Sequence, residues 1–346
     1  MEARSKSISR SLLNSSSFQF VVDDYLIPKL LIAESRGFSL AAIDVLKEHF
    51  DVKCDDLDRA GLLKRVGEFD VLWVRVRTMI DKEIMDAAPK LKWIATNTTG
   101  LNHIDLAAAQ KRGIQVVSLQ GESDFLRKIR ATAELTIGLT LALLRRIPAA
   151  CQHVMDGGWD RSLFQGQEIF EKTVGIIGYG RLGKIVARYF ETLGAHVIIH
   201  DRKIEAGVDV DGFATKSLNE LLSQSDIVSL HASYELPNHH MIGNAQFAKM
   251  KPTAILVNTA RGELVDDESL ANALESDTLA GAAIDVIESE HCARPSKQRL
   301  IELARTTHRL VITPHIGGNT LESMAKTEIF LAEKLCAIVR QPITYN

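Results

Sequence analysis

VGIIGYGRLGKIVARYF, residues Val174–Phe190, joins a short apolar run to an amphipathic helical pattern through Gly178, Gly180 and Gly183. A bare GxGxxG match is weak. Here a strand pattern precedes it and a helix pattern follows, which is the context its mechanics require. The glycines permit a tight turn and close backbone approach. The helix that opens at Arg181 and Leu182 then offers free N–H groups and a positive dipole end to a pyrophosphate. About 20 residues on, Asp201 closes the next apolar run, where an acid can hydrogen-bond both ribose hydroxyls of NAD. A 2′-phosphate about 5 Å from that carboxylate would meet roughly 3 kcal/mol of repulsion per negative charge at an effective dielectric near 20. NAD is therefore the expected cofactor, although Arg202 and Lys203 stand close enough to blunt the discrimination.

Working outward, apolar runs alternate with helical patterns, the βαβ signature of a parallel sheet. Downstream strands are expected at Val174–Gly178, His196–Asp201, Ile227–His231, Ala254–Thr259, Gly281–Val286 and Arg309–Pro314. An upstream set is expected at Leu30–Glu34, Val71–Val76, Leu91–Thr96 and Ile114–Leu119. These runs are rich in Val, Ile and Leu and alternate poorly, as strands buried on both faces do. Between the two sets lies a helical pattern from about Ser123 to Arg146. A last helix follows Asn319 or Thr320, either of which can cap it, and ends at Pro342.

In an open α/β sheet, ligands sit beyond the carboxyl ends of the strands. The residues that follow the downstream strands are Gly178, Asp201, His231, then Thr259, Ala260 and Arg261, then Asp285, then His315. All should share one edge, which puts His315 beside the nicotinamide half of a dinucleotide. Alcohol chemistry with NAD moves a hydride and a proton. The proton carrier should titrate near neutrality, which suits histidine. A carboxylate on the other ring nitrogen would orient the imidazole, and Glu288 and Glu290 are both candidates. Arg261, in the turn TARGE, can grip a carboxylate in two-pronged fashion.

Bulk composition sets limits. The chain has 346 residues, enough for two cores, and Lys+Arg 41 against Asp+Glu 44 gives 41 − 44 = −3. No basic excess exists to track a nucleic-acid backbone. The longest apolar run, Leu135–Leu144, is about half of the roughly 20 residues a membrane span needs, so no membrane partner is expected. Cys54, Cys151, Cys292 and Cys336 show no CxxC pairing and read as free thiols in a reducing, cytoplasmic setting. No metal is expected. The Ser-rich start, residues 1–20, reads as a flexible leader.

With these motifs in order, the chain resembles the D-isomer-specific 2-hydroxyacid dehydrogenases, most nearly the phosphoglycerate dehydrogenase branch. GLNHIDLAAAQKRGIQVV, KTVGIIGYGRLGKIV, VNTARGELVDDESLANAL, GAAIDV and TPHIGGNT carry the likeness. The resemblance implies two doubly wound parallel-sheet α/β domains. A Rossmann NAD-binding domain, residues 123–318, would be inserted into a discontinuous flavodoxin-like substrate domain, residues 21–122 and 319–346. It implies Arg261, Glu290 and His315 as the catalytic trio. Proline often follows the glutamate in the family, and His291 stands there instead, which keeps Glu288 as a fallback. It also implies that Thr99 and Gly100, with Asn102 nearby, hold the substrate carboxylate, and that Arg75 and Arg77 reach a phosphate or second acidic group. The expected partners are a small 2-hydroxy or 2-oxo acid and a second copy of the chain. No C-terminal regulatory domain is expected after the last helix. A different class shares the fold: NAD-sensing corepressor-like proteins.

One segment departs from the family pattern. In GESDFLRKIRATAEL, Gly121–Leu135, the helix start falls on Ala131, which has no side-chain oxygen for capping. The expectation is a helix that begins earlier, capped by Ser123 or Asp124, with Phe125, Ile129 and Ala133 on one face. Arg127, Lys128 and Arg130 would then sit beside the cleft, within reach of an acidic group on a larger substrate.

Overall fold

A computed structural model of the chain describes residues 27–288, 290 and 295–340. The leader, His291, Cys292 and Pro342 lie outside the described residues. Thirteen strands among them form two sheets.

The first sheet contains β1 (Lys29–Ile32), β2 (Asp51–Cys54), β3 (Val71–Val74), β4 (Trp93–Thr96) and β5 (Gln115–Ser118). Its order is β2-β1-β3-β4-β5 and every pairing is parallel. This is the doubly wound order of flavodoxin-like sheets. The strands expected upstream are all present, shorter by one or two residues, with β1 also starting one residue earlier, at Lys29. β2 was not foreseen: DVKC is half polar because it is an edge strand, with no residue fully buried. The long helix Leu321–Val339 returns to this sheet. Thr320 caps it, and Leu331, Leu335 and Cys336 share one core with Leu30, Ile32 and Trp73. A buried ion pair fixes the docking. Glu328, wholly inaccessible, accepts from Arg75 Nη2 at 2.5 Å and from the Ser39 N–H at 2.7 Å.

The second sheet contains β6 (Thr173–Ile177), β7 (His196–His200), β8 (Asp209–Val210), β9 (Phe213–Thr215), β10 (Ile227–Leu230), β11 (Ile255–Asn258), β12 (Gly281–Ile284) and β13 (Leu310–Ile312). The order is β13-β12-β11-β10-β6-β7-β9-β8, parallel except for the β8–β9 hairpin. That hairpin, two and three residues long, is too short to leave a periodic signal in sequence. The strand order reverses between β6 and β10, which creates the crevice where such sheets bind ligands. The two sheets rest on separate cores, with Val174, Ile176, Ile227 and Val257 in one that serves the second.

The segment between the sheets differs from expectation. A short helix, Ser123–Leu126, precedes a separate helix, Ala131–Leu144. Neither Ser123 nor Asp124 caps anything: both lie inside the short helix, and Arg130 precedes the longer one with no side-chain cap. Packing explains the break. Leu126 is buried in the core of the first body, the first sheet with its helices, and Phe125 stacks on Phe330 at 4.0 Å, whereas Ala133 is buried in the second body, built on the second sheet. Phe125 and Ile129 therefore pack on one core and Ala133 on the other, and the three do not share one face.

Candidate active site

The carboxyl ends of β4, β6, β10, β11 and β12 converge on one cavity of about 930 Å³. At its nucleotide end, Gly178 has φ +92, and a Cβ there would fall 2.4 Å from the Ala232 nitrogen. Only glycine lets the β6 turn pass this close to the chain leaving β10, and the His231 N–H donates to the Ile177 carbonyl across the same gap at 2.7 Å. The helix Arg181–Thr192 starts from Gly180 with no side-chain cap, and Gly180, Arg181 and Leu182 line the cavity. Its first N–H groups are thus left for an anion, which is the condition a pyrophosphate site needs. Gly183 packs under the turn, where a Cβ would meet the Gly178 carbonyl at 2.0 Å.

Asp201 follows β7. Its carboxylate accepts from the Tyr179 N–H and the Lys203 N–H, both at 2.9 Å, so it is fixed beside the glycine turn. Arg202 turns to Glu235 at 2.6 Å. His231 lines the cavity from β10 and bonds Ser229 at 2.8 Å, and burial pushes its pKa down to about 3, so it is a neutral ring. Thr259 and Ala260 leave β11. The Thr259 hydroxyl meets that of Thr136 at 2.8 Å, which ties the strand end to the helix Ala131–Leu144.

At the other end of the cavity, Glu290 Oε2 lies 2.6 Å from His315 Nδ1. His315 sits at φ +54, in the left-handed region a non-glycine residue rarely occupies. Asp285 holds it there. The Asp285 carboxylate accepts from the Thr313 hydroxyl at 2.5 Å, the Ile316 N–H at 2.9 Å and the Gly317 N–H at 2.8 Å. Its carbonyl takes the His315 N–H at 2.9 Å. Asp285 lines the cavity too, but its oxygens are committed to the histidine turn, a use not read from sequence. Glu288 does not touch His315. It faces His239 and His240 instead.

Arg261 reaches across from the β11 turn to the first body. Its guanidinium lies against Gly100, so closely that a Cβ on that glycine would overlap it. Asn258 holds the turn by donating to the Arg261 carbonyl at 2.9 Å and accepting from the Ala260 N–H at 3.0 Å. Burial disfavours the Arg261 charge, and the carboxylates of Glu263 and Glu290 oppose that effect. Thr99, Gly100 and Asn102 line the cavity, and Asn102 donates to Glu263 at 2.8 Å, bridging the two bodies.

Other sequence candidates stand apart. Arg75 is held by Glu328 and the Arg36 carbonyl, and Arg77 by Asp56 at 2.8 Å and the Leu57 carbonyl. Neither lines the cavity, and neither do Arg127, Lys128 or Arg130, all exposed. Conversely, Thr132, Tyr234 and Glu263 line it and were not foreseen. One signal was readable. Thr132, Thr136 and Thr140 recur every four residues through an apolar helix, which marks a polar stripe facing the strand ends.

Comparison with known proteins gives the family and the fold. Residues 137–317 match the family model described as D-isomer specific 2-hydroxyacid dehydrogenase, NAD binding domain. The chain is 37% identical over 311 residues to D-3-phosphoglycerate dehydrogenase of Mycobacterium tuberculosis strain H37Rv, covering 89% of this chain and 56% of that protein. It thus spans about half the length of the phosphoglycerate dehydrogenases it matches. It is 35% identical over 324 residues to glyoxylate reductase of Thermofilum pendens, with 90% and 92% covered. Among solved structures, the TT0316 protein of Thermus thermophilus superposes with a TM-score of 0.77 at 34% identity, covering 91% of this chain and 99% of that one. D-Lactate dehydrogenase of Aquifex aeolicus, complexed with NAD and lactic acid, gives 0.76 at 28% identity, with 90% and 95% covered. The chain belongs to the D-isomer-specific 2-hydroxyacid dehydrogenase family.

Proposed function

We propose that the protein is an NAD-dependent oxidoreductase that interconverts a small D-2-hydroxy acid and its 2-oxo acid. The observation that carries this reading is the convergence of Arg261 and the Glu290–His315 pair on the cavity that holds the glycine turn. Gly180, Arg181 and Leu182 would hold the pyrophosphate, Asp201 the ribose, and Thr259 and Ala260 would border the nicotinamide. Bound there, NAD(H) supplies the hydride donor or acceptor. Asp201 repels a 2′-phosphate, and Arg202, one of the two nearby cations, is engaged by Glu235, which supports NAD over NADP.

The chain's own residues handle the acid and the proton. Arg261 grips the substrate carboxylate, aided by backbone groups at Thr99 and Gly100, and polarises the adjacent carbonyl. Glu290 occupies His315 Nδ1 and fixes the ring, which leaves Nε2 as the nitrogen for substrate. In reduction Nε2 delivers a proton to the carbonyl oxygen; in oxidation it takes the proton from the hydroxyl. Arg75 and Arg77, bound to Glu328 and Asp56, are not disposed to receive a phosphate. A small 2-oxo acid such as glyoxylate or hydroxypyruvate suits the cavity better than a phosphorylated one.

A homodimer is part of the same reading. Met155, Trp159 and Leu163 follow one another on the surface at 72%, 89% and 53% exposure, an apolar stretch suited to a second copy. Cys54, Cys151 and Cys336 are free thiols, which supports a reducing, cytoplasmic setting. Among the described residues no helix is long and apolar enough to cross a membrane. The test is NADH oxidation with a panel of 2-oxo acids. Turnover supports the enzyme, and cofactor binding with no turnover on any member would favour a sensor.

A further inference from the structure

We propose that His239, His240 and Glu288 form a site for a divalent transition metal, Zn²⁺ in chemical type, behind the candidate active site. One ligand atom from each lies within 4.8 Å of the other two. His239 Nε2 is 3.8 Å from Glu288 Oε1, and His240 Nε2 is 3.3 Å from Oε2. Two ligands held about 2.0–2.1 Å from one tetrahedral ion stand about 3.3 Å apart, so these spacings need little adjustment. Imidazole and carboxylate together are a donor set that suits zinc.

Two independent observations point to a ligand rather than a simple ion pair. His240 Nε2 is buried with no hydrogen-bond partner, although a carboxylate oxygen stands 3.3 Å away. It faces Glu288 without the alignment of a hydrogen bond, as two ligands around a common centre do. The rings of His239 and His240 also stack at 3.8 Å, tilted by 23°, and their Nε2 atoms face the same Glu288 carboxylate. His240 achieves this at φ +52, in the left-handed region. A supporting contact is present as well. The Tyr234 hydroxyl lies 3.4 Å from His239 Nδ1 and can fix the tautomer that leaves Nε2 free to ligate.

The position gives the site a purpose. The His240 N–H donates to the Glu263 carbonyl at 2.9 Å, and Gly262 packs directly on Ile287 and Glu288. An ion here would pin three segments together: the loop that carries Tyr234 into the cavity wall, the Arg261 turn, and the chain two residues before Glu290. It would brace the candidate catalytic groups without joining them. Metal binding itself does not depend on the proposed activity, so the two readings can fail separately.

The test uses the untagged full chain, stripped with chelator and titrated with Zn²⁺ by calorimetry and with Co²⁺ by visible absorption. The expected result is one equivalent per chain, a cobalt spectrum of tetrahedral type, and a rise in Tm on adding Zn²⁺ that chelator reverses. His239→Ala and Glu288→Gln should each weaken binding by more than tenfold, and Tyr234→Phe by about tenfold, as supporting contacts to metal-bound histidine do. Each variant should match the wild-type Tm in chelator, which separates lost binding from lost folding. No binding to the wild type, or binding unchanged in the His239→Ala and Glu288→Gln variants, would overturn the assignment.

Discussion

Gly100→Ala removes nothing from the cavity and adds one methyl group, yet it should disable the enzyme through Arg261. The added carbon would lie 1.8 Å from Arg261 Nη2, 2.6 Å from Cζ and 2.7 Å from Nε. Ordinary contact begins near 3.5 Å, so the guanidinium must withdraw by about 1.5 Å or more. The obstacle is the end of a flexible side chain, so the fold can absorb the change at a cost of about 1 kcal/mol or less. The substrate cannot. A charge-assisted hydrogen bond contributes about 1.5–3 kcal/mol, so its loss lowers kcat/KM by about 10- to 150-fold. The assay is steady-state NADH oxidation with the best 2-oxo acid, beside fluorescence titration of NADH. The expected result is that loss in kcat/KM, with NADH affinity within about twofold of wild type. In an Arg261→Ala background the same change should cost almost nothing more, because both act through one contact. A folded Gly100→Ala variant with kcat/KM within about twofold of wild type would refute the placement of Arg261 on the substrate.

Two further outcomes follow from the nucleotide end of the cavity. Asp201→Ala should weaken NADH binding and narrow the preference over NADPH by up to about 100-fold, since it removes roughly 3 kcal/mol of repulsion per phosphate charge; an unchanged preference would mean that Asp201 does not face the ribose. His231 has its pKa pushed down to about 3 by burial, against about 6.5 in an unfolded chain. A pKa depressed on folding contributes stability that is in place above about pH 6.5 and is lost as pH falls toward 3, at most about 1.4 kcal/mol per unit. His231→Gln should therefore flatten the fall in urea-unfolding free energy between pH 6.5 and 4.5 by up to about 3 kcal/mol, and parallel profiles for the two proteins would contradict this.

The parts of the fold that sequence revealed are those where one physical constraint acts alone. Strands buried on both faces must be apolar throughout, so β3, β10 and β11 stand out as unbroken runs. The carboxyl ends of β6, β11 and β13 lie on one edge of the second sheet by topology, which places Gly178, Arg261 and His315 together. Edge strand β2, half solvated, carries no such signature. Glu288 and Glu290, two residues apart, could not be separated by spacing. Only the loop's path shows that one meets His315 and the other meets His239 and His240. The resemblance puts Arg75 on the substrate, and nothing in sequence shows its partner Glu328, 253 positions away. The capping rule failed at Ala131 because tertiary packing overrode it: Leu126 and Phe125 are anchored to the first body, so the helix cannot extend back through them. Asp285 shows a further kind of limit. Its place at a strand end was legible, but not that its carboxylate is committed to holding His315 at a positive φ.

The most direct measurement is turnover by His315→Asn on the best 2-oxo acid, with NADH affinity measured on the same preparation. Asparagine keeps a polar side chain of similar reach but cannot carry a proton between substrate and solvent. The expected result is a fall in kcat of about 100-fold or more, with the NADH dissociation constant within about twofold of wild type. Turnover near the wild-type rate in a variant that still binds NADH would contradict the assignment of His315 as the proton carrier, and with it the catalytic reading of the Arg261, Glu290 and His315 cluster.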